Sequence, residues 1–408
     1  MMKLEAKYGL PSEVKYCKKC VMSNQRPVSE VEFKHNIHTK KKTLAFDKEG
    51  ICDACRANEQ KEHIDWAKRE EELIKLLDKY RSKDGSYDCI VPGSGGKDSA
   101  YQAHVLKYKY GMNPLTVTWP PILYTEYGYA NWKNWIDIGG FDNISFRRNG
   151  KVMKLLTKLA IENLMHPFQT FMLGQKNIGP KLAAKFSIPL VFYGENEAEY
   201  GNPIADNSTS LRDNSYHTFK NIDELYLGGV SLKELREKYD VKISDLMSFL
   251  PAPADELEKA NIQVHYLGYY LRWTPQEVYY YATEHTGFKA RPFRTQGTYS
   301  KYNSIDDMID DLHYYTTYIK FGIGRATYDA SQEIRNNHIT REEGMALVKK
   351  FDGEFPDKYF NEIMDYIGMK PEYFHDLCDK FRSPHLWTKV NGEWKLRHNV
   401  NKDGVDDL

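Results

Sequence analysis

The sequence predicts an α/β fold: a doubly wound, mostly parallel sheet, with a cysteine knuckle before it and a helical region after it. Three observations carry this. Short apolar runs alternate with amphipathic stretches between residues 87 and 193, the pattern of βα units with parallel strands. Two Cys-x-x-Cys pairs precede the first of these runs, and after about residue 221 long helical segments replace the alternation. The chain accordingly divides into 1–60, 61–220 and 221–408.

The first segment holds Cys17-Lys18-Lys19-Cys20 and Cys52-Asp53-Ala54-Cys55. Each pair places two thiolates on one side of a metal, and together they supply the tetrahedral four-sulfur set that zinc prefers. Redox thiols or plain buried cysteines are the alternatives. The stretch 35–42, with His35, His38 and Lys40 to Lys42, reads as a solvated loop. Residues 61–81 place Ile64, Ala67, Leu73, Leu76, Leu77 and Tyr80 at helical spacing. Strands follow at 87–92, 115–119, 144–146 and 188–193, with helices at 98–110, 151–165 and 176–186. Pro120-Pro121 stops the second strand, and Gly111 closes the first helix. Further helices are expected at 231–250, 275–286, 304–319, 328–336, 341–350 and 356–367. Thr340 and Glu343 form a capping box, and Gly368 ends the last helix.

The 408 residues include 57 basic and 57 acidic side chains. A net charge of zero argues against a dedicated nucleic-acid binder. No apolar run is long enough to span a bilayer. The opening Met-Met-Lys-Leu-Glu-Ala-Lys lacks the apolar core of a secretion signal, which predicts a cytoplasmic location. Reduced thiols fit that compartment.

The most informative motif is Gly93-Ser94-Gly95-Gly96-Lys97-Asp98-Ser99, between a strand and a helix. Glycines let backbone N–H groups approach an anion, Ser94 and Ser99 add hydroxyl donors, and the helix N-terminus adds partial positive charge. The motif fits neither the spacing of a Walker A loop nor a dinucleotide Gly-x-Gly-x-x-Gly loop. Thr118-Trp119 and Gly194-Glu195-Asn196 end two other strands, so three segments converge on one crevice at the carboxyl edge of the sheet. Asp98 is the leading candidate for holding Mg²⁺ or orienting phosphate, with a helix cap as the alternative. Glu195 is a weaker candidate, and Lys97 either reaches the phosphates or points away. Lys301, Lys320 and Arg325 offer cations to phosphates or an acidic sugar nucleotide, against a reading as surface cations paired with nearby acids. Trp119, Tyr124, Tyr127, Tyr129, Trp132 and Trp135 either stack on a sugar or base or belong to the core.

The Ser-Gly-Gly-x-Asp-Ser core of the motif resembles the pyrophosphatase-loop ATP enzymes, which cleave ATP between the α and β phosphates. Other stretches narrow the resemblance: Gly139-Gly140-Phe141-Asp142-Asn143, His166-Pro167-Phe168, Phe192 to Asn196, Ser300 to Ser304, Lys320 to Ala326 and Ser383 to Trp387. With the cysteine pairs, they are similar to the N-acetyl sugar amidotransferases of bacterial surface-polysaccharide (lipopolysaccharide and nonulosonate) synthesis. The resemblance spans almost the whole chain. It implies an adenine-nucleotide α-hydrolase-like fold, with a zinc-knuckle module, an ATP-binding domain and a substrate or partner domain as the three segments. It further implies that ATP with Mg²⁺ activates a sugar acetamido oxygen and that ammonia displaces AMP to leave an acetamidino group.

In that reading ATP is bound by Gly93, Ser94, Gly95, Gly96, Lys97, Asp98 and Ser99, framed by Thr118, Gly174, Gly194 and Glu195. Asn196, Tyr299, Ser300 and Lys320 contact a sugar substrate that is nucleotide-activated. Asp98, Lys301 and Arg325 serve the chemistry, while Cys17, Cys20, Cys52 and Cys55 hold structural Zn²⁺. The sequence begins Met1-Met2 rather than with a nucleophilic cysteine, and neither Cys89 nor Cys378 has glutaminase neighbours. A separate ammonia-delivering glutaminase, of the imidazole-glycerol-phosphate-synthase type, is therefore expected. The rival reading is a tRNA-modifying enzyme, thiolating or lysine-adding, built on the same loop.

Overall fold

The computed structural model describes residues 4–29, 31–200 and 208–401, so Met1-Met2 lies outside them. Five parallel strands form the central sheet: β1 (Cys89–Pro92), β2 (Pro114–Thr118), β3 (Asn143–Ser145), β4 (Leu190–Tyr193) and β5 (Gln263–Tyr266). Their order is β3-β2-β1-β4-β5. The order reverses between β1 and β4, and a crevice opens at such a switch point.

Side-chain alternation assigns the two faces of the sheet. Ile90, Val117 and Val191 join one core, while Cys89, Val91, Leu190 and Phe192 join another. Helices cover both sides. On the first lie α5 (Gly150–Leu164) and α6 (Gln169–Phe186), through residues such as Leu156 and Ile178. On the second lie α2 (Trp66–Tyr80), α3 (Lys97–His104), α4 (Glu126–Asp137) and α7 (Pro275–Thr286), through Leu73, Ala100, Trp135 and Val278. Caps set several starts: the side chains of Asp65, Thr125 and Asn149 accept backbone N–H groups of α2, α4 and α5. A short α1 (Asp53–Lys61) leaves the second cysteine pair.

The C-terminal region contains α8 (Ile309–Phe321), α9 (Arg325–Arg335), α10 (Arg341–Phe351), α11 (Asp357–Ile367), α12 (Pro371–Phe381) and a hairpin of β6 (Trp387–Val390) and β7 (Glu393–Leu396). The Thr340–Glu343 capping box is present. The ends of the chain meet: Tyr8 stacks on Phe381 at 6.2 Å, Lys7 N–H donates to Ser383 Oγ at 2.9 Å, and His385 Nε2 lies 3.1 Å from Gln25 Oε1.

The structure differs from expectation in several places. The helix expected over 231–250 is two short ones, Leu232–Tyr239 and Ile243–Leu246, because Asp240 turns left-handed at φ 51°. β5 arises in the region expected to be mainly helical, from a stretch assigned to no element, so the sheet draws on residues beyond 220. α6 starts at Gln169, seven residues before its expected start, and runs through Pro180. α4 forms where the aromatic cluster gave no helix signal, and Trp119 and Trp135 are core residues. His35 and Lys41 are buried rather than solvated; His35 Nδ1 lies 3.2 Å from Glu32 Oε2 and 3.3 Å from Lys41 Nζ.

Candidate functional site

The cysteine knuckle folds from two tight turns. Cys17, Cys20, Cys52 and Cys55 are buried, and their Sγ atoms all lie within 4.8 Å of one another. Cys17 to Cys55 is 3.8 Å and Cys20 to Cys52 is 3.7 Å. A tetrahedron with Zn–S bonds of about 2.3 Å has edges of about 3.8 Å, so the spacing fits that ion. Backbone N–H groups of Lys19 and Cys52 point at Cys17 Sγ, each at 3.4 Å, as suits a thiolate. The cluster can hold a structural metal such as zinc.

The glycine loop lies at the switch point. Gly93 N–H donates to Val117 O at 2.9 Å, which joins the loop to β2. Gly95 has φ +82°, and a Cβ there would lie 2.5 Å from Trp132 Cα. A Cβ on Gly93 would lie 2.2 Å from Ser99 Cβ. Gly96 caps α3 and is open by contrast, with nothing nearer than Ser94 Oγ at 3.7 Å. The α3 N-terminus therefore faces free space through a glycine, an arrangement suited to an anion. Lys97 is buried and donates to Asp98 at 2.6 and 2.9 Å, so the two side chains act as a pair. Ser99 Oγ donates to Gly96 O at 3.1 Å.

Across the crevice, Gly194 and Glu195 follow β4, and Gly268 N–H holds Gly194 O at 2.8 Å. Burial, with Asp98 next in effect, raises the Glu195 carboxyl to about 8, while Lys97 and Arg325 pull it down. Asn196 is buried and its Oδ1 accepts from Ala198 N–H at 3.2 Å. A cavity of about 690 Å³ joins the loop, Gly194, Glu195, Trp119, Asp307, His313, Arg325 and Arg26. That is the size of a ligand-binding cleft.

Residues 296–401 match the family model of the LPS biosynthesis protein WbpG-like, C-terminal domain. A second similarity is to an uncharacterized protein of Methanocaldococcus jannaschii, 34% identical over 83 residues, which is 20% of this chain and 30% of that protein. The aligned stretch thus spans under a third of that relative.

The WbpG-like segment supplies part of the cavity wall. Its Arg325 lines the cavity, with Nε 2.9 Å from Asp329 Oδ1 and Nη1 donating to Tyr314. The other residues singled out in this segment lie outside the lining. Lys301 is exposed, and its carbonyl accepts from Arg291 N–H. Tyr299 OH donates to Glu333 at 2.9 Å. Ser300 is buried and its Oγ accepts the N–H groups of Tyr302 and Asn303. Lys320 is buried, donates to Leu164 O at 2.7 Å and lies 4.6 Å from the Tyr8 ring centre. It closes the C-terminus of α5. Thr118 and Gly174 are also outside the lining. Thr118 Oγ1 accepts from Trp132 and Asn143, and Gly174 lets the Trp119 indole lie against α6, where a Cβ would be 2.0 Å away.

Sequence reasoning missed much of the wall. Asp307 accepts from the N–H groups of Leu123 and Ile309, and burial raises it to about 7. Asp310 is raised by burial and then by Asp306 and Asp307. His313 stacks on His166 at 4.9 Å and is pushed down to about 4 by burial. Arg26, Arg212 and Arg335 also line the cavity. Of these only the acidic run from Asp306 to Asp311 was a visible signal; the arginines are scattered among ordinary surface-type neighbours.

Proposed function

We propose that the protein is an ATP-dependent amidotransferase of bacterial surface-polysaccharide biosynthesis. It converts a sugar acetamido group to an acetamidino group. The observation that carries this is a glycine loop, open at Gly96 and at the switch point of a parallel sheet, facing one cavity partly walled by a WbpG-like segment.

The chemistry follows from the poor reactivity of amides. The amide oxygen attacks the α-phosphorus of ATP, and pyrophosphate leaves. Backbone donors from Gly93 to Ser99 and the α3 N-terminus stabilise the charge on that leaving group. Asp98 and Glu195 are the residues that would hold Mg²⁺, which supplies charge neutralisation at the phosphates. Ammonia then adds to the activated carbon, loses a proton, and AMP departs with the original oxygen. His313 faces the cavity, but burial holds its imidazole down to about 4, too weak a base for that step, so water or a second ammonia molecule takes the proton. A separate glutaminase is the proposed ammonia source.

Cys89 and Cys378 are buried away from the cavity, with both thiols raised by burial, so neither suits thiolation of tRNA. The deciding experiment incubates the protein with ATP, ammonium chloride and a panel of di-N-acetylated sugars, free and nucleotide-activated. Sugar-dependent AMP formation with loss of about one mass unit is expected from oxygen-for-nitrogen exchange. AMP formation with no change in any sugar would move the acceptor elsewhere, and no AMP would end the adenylation reading.

A further inference from the structure

Arg26 is 8% exposed, and it lines the cavity. Its Nε is buried without a hydrogen-bond partner. The Tyr328 ring lies 5.1 Å from its guanidinium and offsets part of the charge. Arg335, at the end of α9, lines the same cavity. Its Nη2 donates to the Glu199 carbonyl at 3.2 Å, and its Nη1 is buried without a partner. The Tyr328 hydroxyl also hydrogen-bonds the Arg26 side chain and Cys52 attracts it, but among the described residues no carboxylate forms an ion pair with either arginine.

Three of the acids near them already hold other cations. Asp98 holds Lys97 at 2.6 Å, Glu199 holds Lys61 at 2.8 Å, and Asp329 holds Arg325 at 2.9 Å. Arg26 and Arg335 also repel each other. The cysteine knuckle offsets part of the Arg26 charge from behind, but two buried guanidinium groups beside each other with no carboxylate partner are costly. Guanidinium donors in a fixed fork match the oxygens of phosphate and carboxylate. The fold nevertheless fixes Arg26 firmly: its N–H donates to Ser23 O, its C=O accepts from Leu44 N–H, and Cys20 lies six residues upstream.

We propose that Arg26 and Arg335 form an anion subsite, distinct from the glycine loop, which takes a phosphate or carboxylate group inside the main cavity. The reading of the loop as the ATP site supplies the distinction, and the subsite itself stands on the arginines alone. The anion is either a group carried by the acceptor or the distal phosphates of ATP. The cysteine knuckle then does more than fold the N-terminus, because it holds a ligand-binding arginine at the cavity wall.

The test uses the full-length, zinc-loaded protein and radiolabelled pyrophosphate in equilibrium dialysis, with and without saturating AMPPNP. Wild type is expected to keep a pyrophosphate site when AMPPNP fills the loop. Arg26→Gln and Arg335→Gln should each weaken that site about 10- to 100-fold, the span expected for a lost charge-assisted contact. Arg26→Lys should recover part of it, and AMPPNP affinity should stay within about threefold. That result supports the subsite with the acceptor as source. If AMPPNP displaces the pyrophosphate and both variants weaken AMPPNP by the same factor, the subsite stands and ATP is the source. Unchanged pyrophosphate and AMPPNP affinities in either variant, at wild-type zinc content and melting temperature, would overturn the proposal. Failure of wild type to bind AMPPNP would count against the ATP reading alone, since the loss of pyrophosphate binding in Arg26→Gln would still report the arginine site.

Discussion

Gly95 tolerates no side chain. Its φ of +82° and the Trp132 backbone 2.5 Å from any Cβ mean that Gly95→Ala must move the loop or α4. We expect a cost of about 1–3 kcal/mol from the backbone conformation. Affinity for AMPPNP, read by titration calorimetry, should fall at least about tenfold, since the loop can no longer present its N–H groups together. Glu195 contributes to the pH dependence, beside other buried acids such as Asp307. Its unfolded carboxyl ionises near 4.5 but its folded one only near 8. Between these values the unfolded chain has released a proton that the folded chain keeps, so this group's contribution to stability falls as pH rises from about 4.5 to 8. Glu195→Gln removes that loss, and its gain in melting temperature over wild type should be larger at pH 8.5 than at pH 5. An equal gain at both pH values would refute the assignment. Lys320 makes the opposite kind of statement. Its ammonium serves the Leu164 carbonyl, so Lys320→Ala should destabilise the protein by about 2–4 kcal/mol through a lost hydrogen bond and a cavity, with AMPPNP affinity unchanged. Denaturant melts and the same titration would separate stability from binding.

At the level of elements, the legible parts were those with strong local signals. β1, β2, β4, α3 and α5 were visible because βα alternation and caps agree there with the tertiary fold. The helix at Pro275–Thr286 was legible to the residue, since Pro275 stands at its first position and Gly287 just after its end. β5 was not visible: Gln263-Val264-His265-Tyr266 is four residues long and becomes a strand only because β4 offers it an edge. The loop half of the site was legible for the same local reason, because close backbone approach needs glycine. The rest of the wall was not, since Arg26, His313 and Arg335 come to the cavity only through tertiary placement. Lys301 and Lys320 were singled out as cations, yet charge alone does not say which way a side chain turns. The knuckle is an element with its own prediction. The purified protein should carry about one zinc per chain, and Cys52→Ser should lose it, because three thiolates leave the tetrahedral shell open. Metal analysis together with near-ultraviolet circular dichroism would check both.

Taken whole, the molecule closes on itself. The N-terminal core includes Cys17, Cys20, Cys52 and Cys55 together with Phe321, Ile323, Leu386 and Trp387. A chain truncated after Arg382 loses β6, β7 and the His385 contact, and should surrender zinc to a chelator at least about tenfold faster, as expected when the packing that slows local opening is removed. No helix among the described residues is long and apolar enough to cross a membrane. The joining of the two ends also bears on synthesis. Tyr8 OH holds the carbonyl of Phe381, 373 positions further along. The knuckle is synthesised hundreds of residues before its packing partners, at about 5–20 residues per second. The nascent knuckle must therefore wait some tens of seconds with its apolar face uncovered, and early metal capture is what can keep it in shape until those partners are made.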